Sequence, residues 1–355
     1  MSEYVRIGLI GCGTIAEKEL AGLVQLRTAR LVATADVSAE RAELLARRFG
    51  AERSYTDHRE MLADPGVDAV IVSTPNHLHA QHTIDAAEAG KHILVQKPLA
   101  LSLADIDAME AAAQRAGVTA IALMMNRFTP SYVRLKQLID QRAFGTPRVY
   151  RTHFSHAGIY KTYQPSSQWF MDPEKAGGGP LLDLGVHHFD LLRWLSGQEI
   201  ESVSAEVATI DAEQATDNNA FVSLRFADGT YAQLFLSFTT PVPPGYTMAR
   251  VEVYGSSGSA WCGPSSAERP PLRIFREGAT DDPTVGITEI RVPESDAWAN
   301  TIEHFAQCIQ TGRQPLTIFD DGRRALQAVL ACYQSSREGR RVALNEPAAL
   351  SSLRQ

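Results

Sequence analysis

Two groups of residues carry types and spacings suited to chemistry. In the first, Gly11, Cys12, Gly13, Thr14, Ile15 and Ala16 follow a short apolar run and open a stretch with helical spacing. The first glycine permits a tight turn, the second lets the backbone approach a pyrophosphate, and a small third residue allows close helix packing. The phosphates then meet unsatisfied N–H groups at the positive end of the helix. Asp36 closes the next strand about twenty residues on, where a carboxylate can hold ribose hydroxyls. Its charge opposes a 2′-phosphate and predicts NAD, while Arg41 keeps NADP open. Ser38 belongs to the same ribose-side group. In the second group, Gly177-Gly178-Gly179-Pro180 leads into a segment that reads as one helix from Pro180 to about Leu195. Asp183 and His187 lie four apart and so share a face. A histidine titrates near neutral pH and can take a hydroxyl proton. His188 points about 100° away on a helix and reads as structural.

The elements that must hold these groups alternate. Val5–Ile10, Arg30–Ala35, Ala69–Ser73, His92–Val95 and Thr119–Met124 are short apolar runs. Between them, Thr14–Leu23, Ala39–Phe49, His79–Ala89 and Leu103–Ala116 show helical spacing, several ending at a glycine. Continuously apolar strands are those of a parallel sheet covered on both faces, and strict alternation implies a doubly wound α/β fold. Ligands of such sheets bind outside the carboxyl ends of the strands. The segments Ser73–His79, Gln96–Pro98 and Asn126–Pro130 all follow such ends, so they converge on one crevice.

After Pro147 the pattern changes. Arg148–Phe154, Val203–Thr209, Asn219–Phe226, Tyr231–Phe238 and Arg250–Tyr254 alternate as half-buried strands do, with Asp228-Gly229 at a hairpin position. Ser256–Gly258, Pro264–Pro271 and Thr280–Thr284 read as loops. Asp296–Thr311 and Asp320–Glu338 read as amphipathic helices. The organisation expected is a dinucleotide-binding Rossmann domain over 1–125. A substrate-binding and oligomerisation α+β domain with a large open, mostly antiparallel sheet follows over 126–355. One face of that sheet needs cover, from helices or from another subunit, so a homo-oligomer is expected.

With 355 residues the chain is long enough for two cores. A net charge of -7 argues against a nucleic-acid surface. Cys12, Cys262, Cys308 and Cys332 are widely spaced and suggest neither a disulfide framework nor a zinc site. No stretch reaches the roughly 18 apolar residues of a membrane span, and the N-terminus carries no secretory pattern. A cytoplasmic setting without a membrane partner is the expectation.

Several motifs together resemble the glucose–fructose oxidoreductase / inositol dehydrogenase (Gfo/Idh/MocA) family. These are Ser73-Thr74-Pro75-Asn76-His77-Leu78-His79, Gln96-Lys97-Pro98, Asn126-Arg127-Phe128-Thr129-Pro130 and the long run from Gly177 to Asp190. The segments from Asp321 to Leu326 and from Gly339 to Val342 are also similar. The resemblance covers nearly the whole chain. It implies an NAD(P)-dependent oxidoreductase acting on a CH–OH group of a sugar, polyol or inositol, with the C-terminal sheet in an oligomer interface.

By that resemblance Lys97, Asp183 and His187 are catalytic and also touch substrate. His187 is the general base, Lys97 stabilises the alkoxide, and Asp183 orients His187 or holds a neighbouring hydroxyl. Arg127, Trp169 and Asn126 are placed at the pocket, Arg127 and Trp169 on substrate and Asn126 on cofactor. Arg127 can equally be a structural ion-pair partner. The cofactor is expected to touch Ser73, Thr74, Pro75, Asn76, His79, Gln96 and Lys97. His77 and His79 lack a ligand-spaced carboxylate or cysteine, so no metal is expected. One departure stands out: the family's usual glutamate before the lysine is Gln96 here. The other readings of the same fold are an NAD-dependent glycoside hydrolase working by transient oxidation and elimination, and a non-catalytic NAD(P)-binding sensor.

Overall fold

The computed structural model describes residues 4–163, 168–210, 216–243, 246–263, 272–277 and 286–346. The first part runs β1 (Val5–Ile10), α1 (Thr14–Leu23), β2 (Ala29–Ala35), α2 (Ala39–Phe49), β3 (Arg53–Tyr55) and α3 (His58–Leu62). It continues through β4 (Ala69–Val72), α4 (His79–Glu88), β5 (His92–Val95), α5 (Leu103–Ala116) and β6 (Ala120–Ala122). Among the described residues these strands form a six-stranded parallel sheet in the order β3-β2-β1-β4-β5-β6. This is the doubly wound sheet that the alternation predicts. The order reverses at β1, so the crevice opens where β1 and β4 diverge.

The sequence reading passes over β3 and α3. Both are short, and Arg53–Tyr55 has no apolar run because it lies at the sheet edge.

The second part begins with α6 (Pro130–Asp140), β7 (Pro147–Ser155), α7 (Ile159–Tyr163), α8 (Pro173–Ala176), α9 (Pro180–Asp183) and α10 (Gly185–Ser196). Strands β8 (Ile200–Ala208), β9 (Asn219–Phe226), β10 (Tyr231–Ser237), β11 (Met248–Gly255), β12 (Gly258–Cys262), β13 (Leu272–Arg276) and β14 (Ile287–Ile290) follow. The last elements are α11 (Ala297–Thr311), α12 (Phe319–Glu338) and β15 (Val342–Ala343). Among the described residues the second sheet has nine strands in the order β14-β13-β12-β11-β7-β10-β9-β8-β15. Its pairs are antiparallel except β10 with β7. Strands β12 to β15 carry short or mixed patterns and do not declare themselves in sequence. The stretches 264–271 and 280–284, read as loops, lie outside the described residues but for their flanks.

One face of this sheet is apolar. Val222, Leu224, Leu234, Leu236, Val251 and Val253 are buried there, in one core with Leu191, Val329 and Leu330 of the covering helices. Helix α11 packs on the first sheet. Its Ile302, Phe305 and Ala306 pack with Leu9, Leu31 and Leu94 of the first sheet. A Cβ on Gly22 would lie 2.7 Å from the Ala299 nitrogen, so α1 and α11 approach backbone to backbone. The first sheet is thus covered in part by a helix from late in the chain.

Candidate active site

The cofactor side is built from backbone. Gly11 adopts φ +94°, and a Cβ there would sit 2.7 Å from the carbonyl carbon of Ser73. Only glycine therefore lets β1 turn against the end of β4. Gly13 caps α1 with no side-chain hydrogen bond, leaving the first amides of the helix for an anion. Asp36 closes the pocket at the end of β2. Its Oδ2 accepts from the Cys12 amide at 2.8 Å, and its Oδ1 accepts from the Ser38 amide and the Arg41 guanidinium, both at 2.8 Å. The Asp36 charge thus already has a cation beside it. Burial and Asp36 push the Cys12 thiol up to about 12, so Cys12 contributes its amide and its small size rather than a thiolate.

These residues fit a dinucleotide: a glycine cradle that a Cβ would fill, free helix amides, and a carboxylate at the ribose distance.

From Asp36 and Arg41 a cavity of about 780 Å³ runs past Gly11, Gly13, Thr14 and Ile15 to the ends of β4 and β5. Ser73, Thr74, Pro75, Asn76, His79, Gln96 and Lys97 all line it, and so do Trp169, Asp183 and His187. Cys12, Ser38, Asn126 and Arg127 do not. His79 is buried with its ring nitrogens 2.7 Å from the carbonyls of Pro98 and Thr74, tying together the loops after β4 and β5. The Asn76 amide donates to the Ala176 carbonyl at 2.8 Å and joins the cavity floor to α8.

At the inner end, Lys97 Nζ donates to Asp183 Oδ1 at 2.5 Å and to the Asp183 carbonyl at 3.0 Å. The expected single helix from Pro180 is interrupted at Leu184, the turn between α9 and α10. The partner of the Asp183 carboxylate is Lys97, and among the described residues no hydrogen bond joins it to His187. His187 lines the cavity with its Nδ1 buried and without a hydrogen-bond partner among the described residues. Burial first, and Lys97 second, push its pKa well below the usual histidine value, so the ring is neutral at pH 7. His188 is buried against Phe154, with ring centroids 5.4 Å apart, and burial lowers its pKa to about 3.

The glycines before α9 have a packing cause. The Gly179 and Leu181 amides donate to Asp217 at 2.8 and 3.1 Å, and the Tyr333 hydroxyl donates to it at 2.6 Å. A Cβ on Gly179 would collide with the Asp217 carbonyl.

Arg127 takes the structural role among its two expected ones. Its guanidinium donates to Asp190 at 2.6 and 3.0 Å, to Asp321 at 2.7 Å and to the Leu316 carbonyl at 3.0 Å. It is buried within this clamp and does not reach the cavity. Asn126 lies in the same turn after β6 and is not among the residues that line the cavity.

Sequence reasoning missed Glu19, Lys18, Phe154, Ile159, Lys175 and Trp298. All but Glu19 line the cavity. Trp169 stacks on Phe170 at 3.7 Å, so the mouth of the cavity has an aromatic wall. The signal for Glu19 was present: it falls on the Ala16, Leu20, Leu23 stripe, a charge on a buried helix face.

A six-stranded doubly wound sheet with a glycine cradle, feeding a lysine–aspartate pair and a neutral histidine, defines a dinucleotide-binding oxidoreductase. Comparison with known proteins agrees. Residues 5–124 match the model "Oxidoreductase family, NAD-binding Rossmann fold", and residues 132–261 match the GFO/IDH/MocA C-terminal domain. A scyllo-inositol 2-dehydrogenase (NAD(+)) of Bacillus subtilis is 31% identical over 99% of this chain and 100% of its own. A myo-inositol 2-dehydrogenase of Thermotoga maritima is 29% identical over 96% of this chain and 99% of its own. The solved structure of GenD2 from gentamicin A biosynthesis in complex with NAD superposes with a TM-score of 0.82 at 28% identity, covering 97% of each chain.

The chain belongs to the Gfo/Idh/MocA family. It is an NAD-binding oxidoreductase. Among the described residues no helix is long and apolar enough to cross a membrane.

Proposed function

We propose that this protein oxidises a secondary or anomeric hydroxyl of a cyclic polyol or sugar, with Lys97, Asp183 and His187 as its acid–base residues. The observation that carries the reading is the Lys97–Asp183 pair at 2.5 Å beside His187, all three lining the cavity that holds the glycine cradle. NAD, when bound, supplies the hydride acceptor. The residues of this chain do the rest. Asp183 fixes the Lys97 ammonium at the inner end of the cavity, where it donates to the reacting oxygen and stabilises the charge that develops there. His187 lines the cavity with a neutral ring, whose lone pair accepts the hydroxyl proton. The Trp169–Phe170 wall meets the C–H face of a ring, while the charged groups meet its hydroxyls. The named relatives act on inositols, which supports the same substrate class.

A panel of inositols, aldoses and sugar acids, followed by NADH absorbance, tests the reading. One or two related cyclic polyols are expected to reduce NAD. Cleavage of a glycoside without net NADH would instead identify the hydrolytic reading of this fold.

The reading extends to assembly, with 126–355 as the substrate and oligomerisation domain. The uncovered face of the second sheet presents Phe221, 59% exposed, stacked on Phe235 at 4.5 Å, with His153 5.0 Å beyond. This aromatic row is read as the contact with a second copy. Phe221→Arg is expected to shift the particle toward monomer in light scattering. An unchanged mass would remove this face from the interface.

A further inference from the structure

Beneath the loops that end β4 and β5 lies a charged group that the reaction above leaves unused. Glu19 sits on the inward face of α1 and is fully buried. Its carboxylate accepts a hydrogen bond from the Ser73 hydroxyl and another from the Gln96 amide at 3.0 Å. Both donors are neutral. Burial pushes its pKa up to about 7, opposed only by those two hydrogen bonds.

Among the described residues, the ionisable groups on neighbouring elements do not neutralise it. Lys18, next on α1, lines the cavity, and Lys97, next after Gln96, is held by Asp183. His79 of α4 lies between two carbonyls, and Glu303 of α11 accepts from Thr28.

A buried carboxylate with no counter-charge is unfavourable in the protein alone. Its two donors are cavity residues. Gln96 also accepts from the Lys97 amide at 3.1 Å, so its amide is fixed on both sides. Gln96 follows β5, three strand spacings or roughly 14 Å from the end of β2 that carries Asp36. A dinucleotide with its ribose at Asp36 and its pyrophosphate over Gly11–Gly13 brings its other, reacting half over β4 and β5.

We propose that Glu19 is the counter-charge for the oxidised nicotinamide, a buried anion one hydrogen bond behind Ser73 and Gln96 that favours the cationic ring over the neutral reduced one. This rests on the cavity being the site of the hydride transfer read above. Glu19 acts as a positioning and charge-balancing residue and touches neither substrate nor ring. The buried position left without a cation in the protein is filled electrostatically when the oxidised cofactor arrives. When the ring becomes neutral that attraction ends, so NADH is bound less tightly and is released.

The linkage has a definite sign. Binding a cation beside Glu19 lowers its pKa, so NAD+ binding near pH 7 releases a proton and NAD+ affinity rises with pH. NADH binding does neither.

Isothermal titration of NAD+ and of NADH, in buffers of different ionisation enthalpy between pH 6 and 8.5, reads both effects. In the wild type, NAD+ is expected to bind about fivefold more tightly at the upper end, as a coupling of one pKa unit around pH 7 gives over this window, and NADH less than about twofold. Glu19→Gln keeps both hydrogen bonds, with the Ser73 one reversed, and removes only the charge. It should flatten the NAD+ profile and reduce the preference for NAD+ over NADH by about tenfold. Lys97→Met serves as the second variant, because it removes the cation that follows Gln96 and should retain the Glu19 response. A wild-type slope in Glu19→Gln overturns the proposal. So does absence of proton release on NAD+ binding to Lys97→Met, which decides the matter should Glu19→Gln fail to fold. A protein that binds NAD+ with the expected slope but oxidises no polyol supports the counter-charge and overturns only the proposed substrate reading.

Discussion

Lys97→Met is expected to lower kcat/KM for the polyol found in the substrate panel by roughly 10²–10⁴-fold. Its Kd for NAD should stay within about threefold of wild type at pH 7, since backbone amides and Asp36 provide most of the cofactor contacts. Methionine keeps the stem that fills the space beside Asp183 and loses the ammonium. The group lost is the one placed by two hydrogen bonds to a single residue, at 2.5 and 3.0 Å. Such a double tether fixes Nζ in space before substrate arrives, so its effect on the developing alkoxide carries little reorganisation. The loss should fall on kcat more than on KM, because the charge it meets exists only along the reaction. The fold should barely notice. Asp183 is on the cavity wall with 15% of its side chain exposed, so water can hydrate the carboxylate once its partner is gone. His187→Asn should show a loss of the same order, and the double variant should fall far short of the sum, as residues that act on one proton do. Steady-state kinetics on purified variants decides it. A loss under about threefold for either single variant would end the acid–base assignment.

The first sheet was legible because its strands are buried on both faces, and burial of that kind writes an unbroken apolar run into the sequence. Val5–Ile10, apart from Arg6, and His92–Val95, apart from His92, show this and match their observed bounds. Edge elements carry no such mark. Arg53–Tyr55 pairs with one neighbour only, and β12 to β15 lie toward the rims of the second sheet.

The glycine loop, Asp36 and Lys97 were legible because turns and strand ends of a doubly wound sheet meet at the crevice. Asp183 and His187 were legible through their spacing and the motif around them. All of these but Cys12 and Ala16 of the loop line the cavity. Their partners were less legible. Asp183 meets Lys97, 86 residues away in the chain, which helical spacing within one segment does not foresee. Arg127 shows the same limit: its neighbours Asp190 and Asp321 are 63 and 194 residues away in the chain. Glu19 was readable in principle, because a carboxylate on a buried helix face needs partners, yet the partners again come from two other strands.

Arg127→Met is expected to destabilise the fold by about 3–5 kcal/mol while leaving the KM for substrate nearly unchanged. A pocket wall would behave the other way round, losing substrate affinity with little change in stability. The size follows from what is left behind. Asp190 is fully buried on α10, and the guanidinium that faces it also holds Asp321 at the start of α12 and the Leu316 carbonyl. One side chain therefore ties the turn after β6 to two helices of the second core, and its removal strands a charge. Burial pushes the Asp190 pKa up to about 6 even with Arg127 opposing it. An acid whose pKa is raised on folding holds its proton more tightly when folded. Its contribution to stability thus falls as pH rises from the ordinary aspartate range through about 6. Without Arg127 this window moves upward, so the variant should lose more at pH 8 than at pH 5, where Asp190 can neutralise itself. Urea unfolding followed by tryptophan fluorescence at the two pH values measures the difference. Adding Asp190→Asn to Arg127→Met should recover most of the loss, because the uncompensated charge and not the missing contact is its main source. A single-variant loss under about 1 kcal/mol, or one larger at pH 5 than at pH 8, would show that the clamp does not hold the second core together.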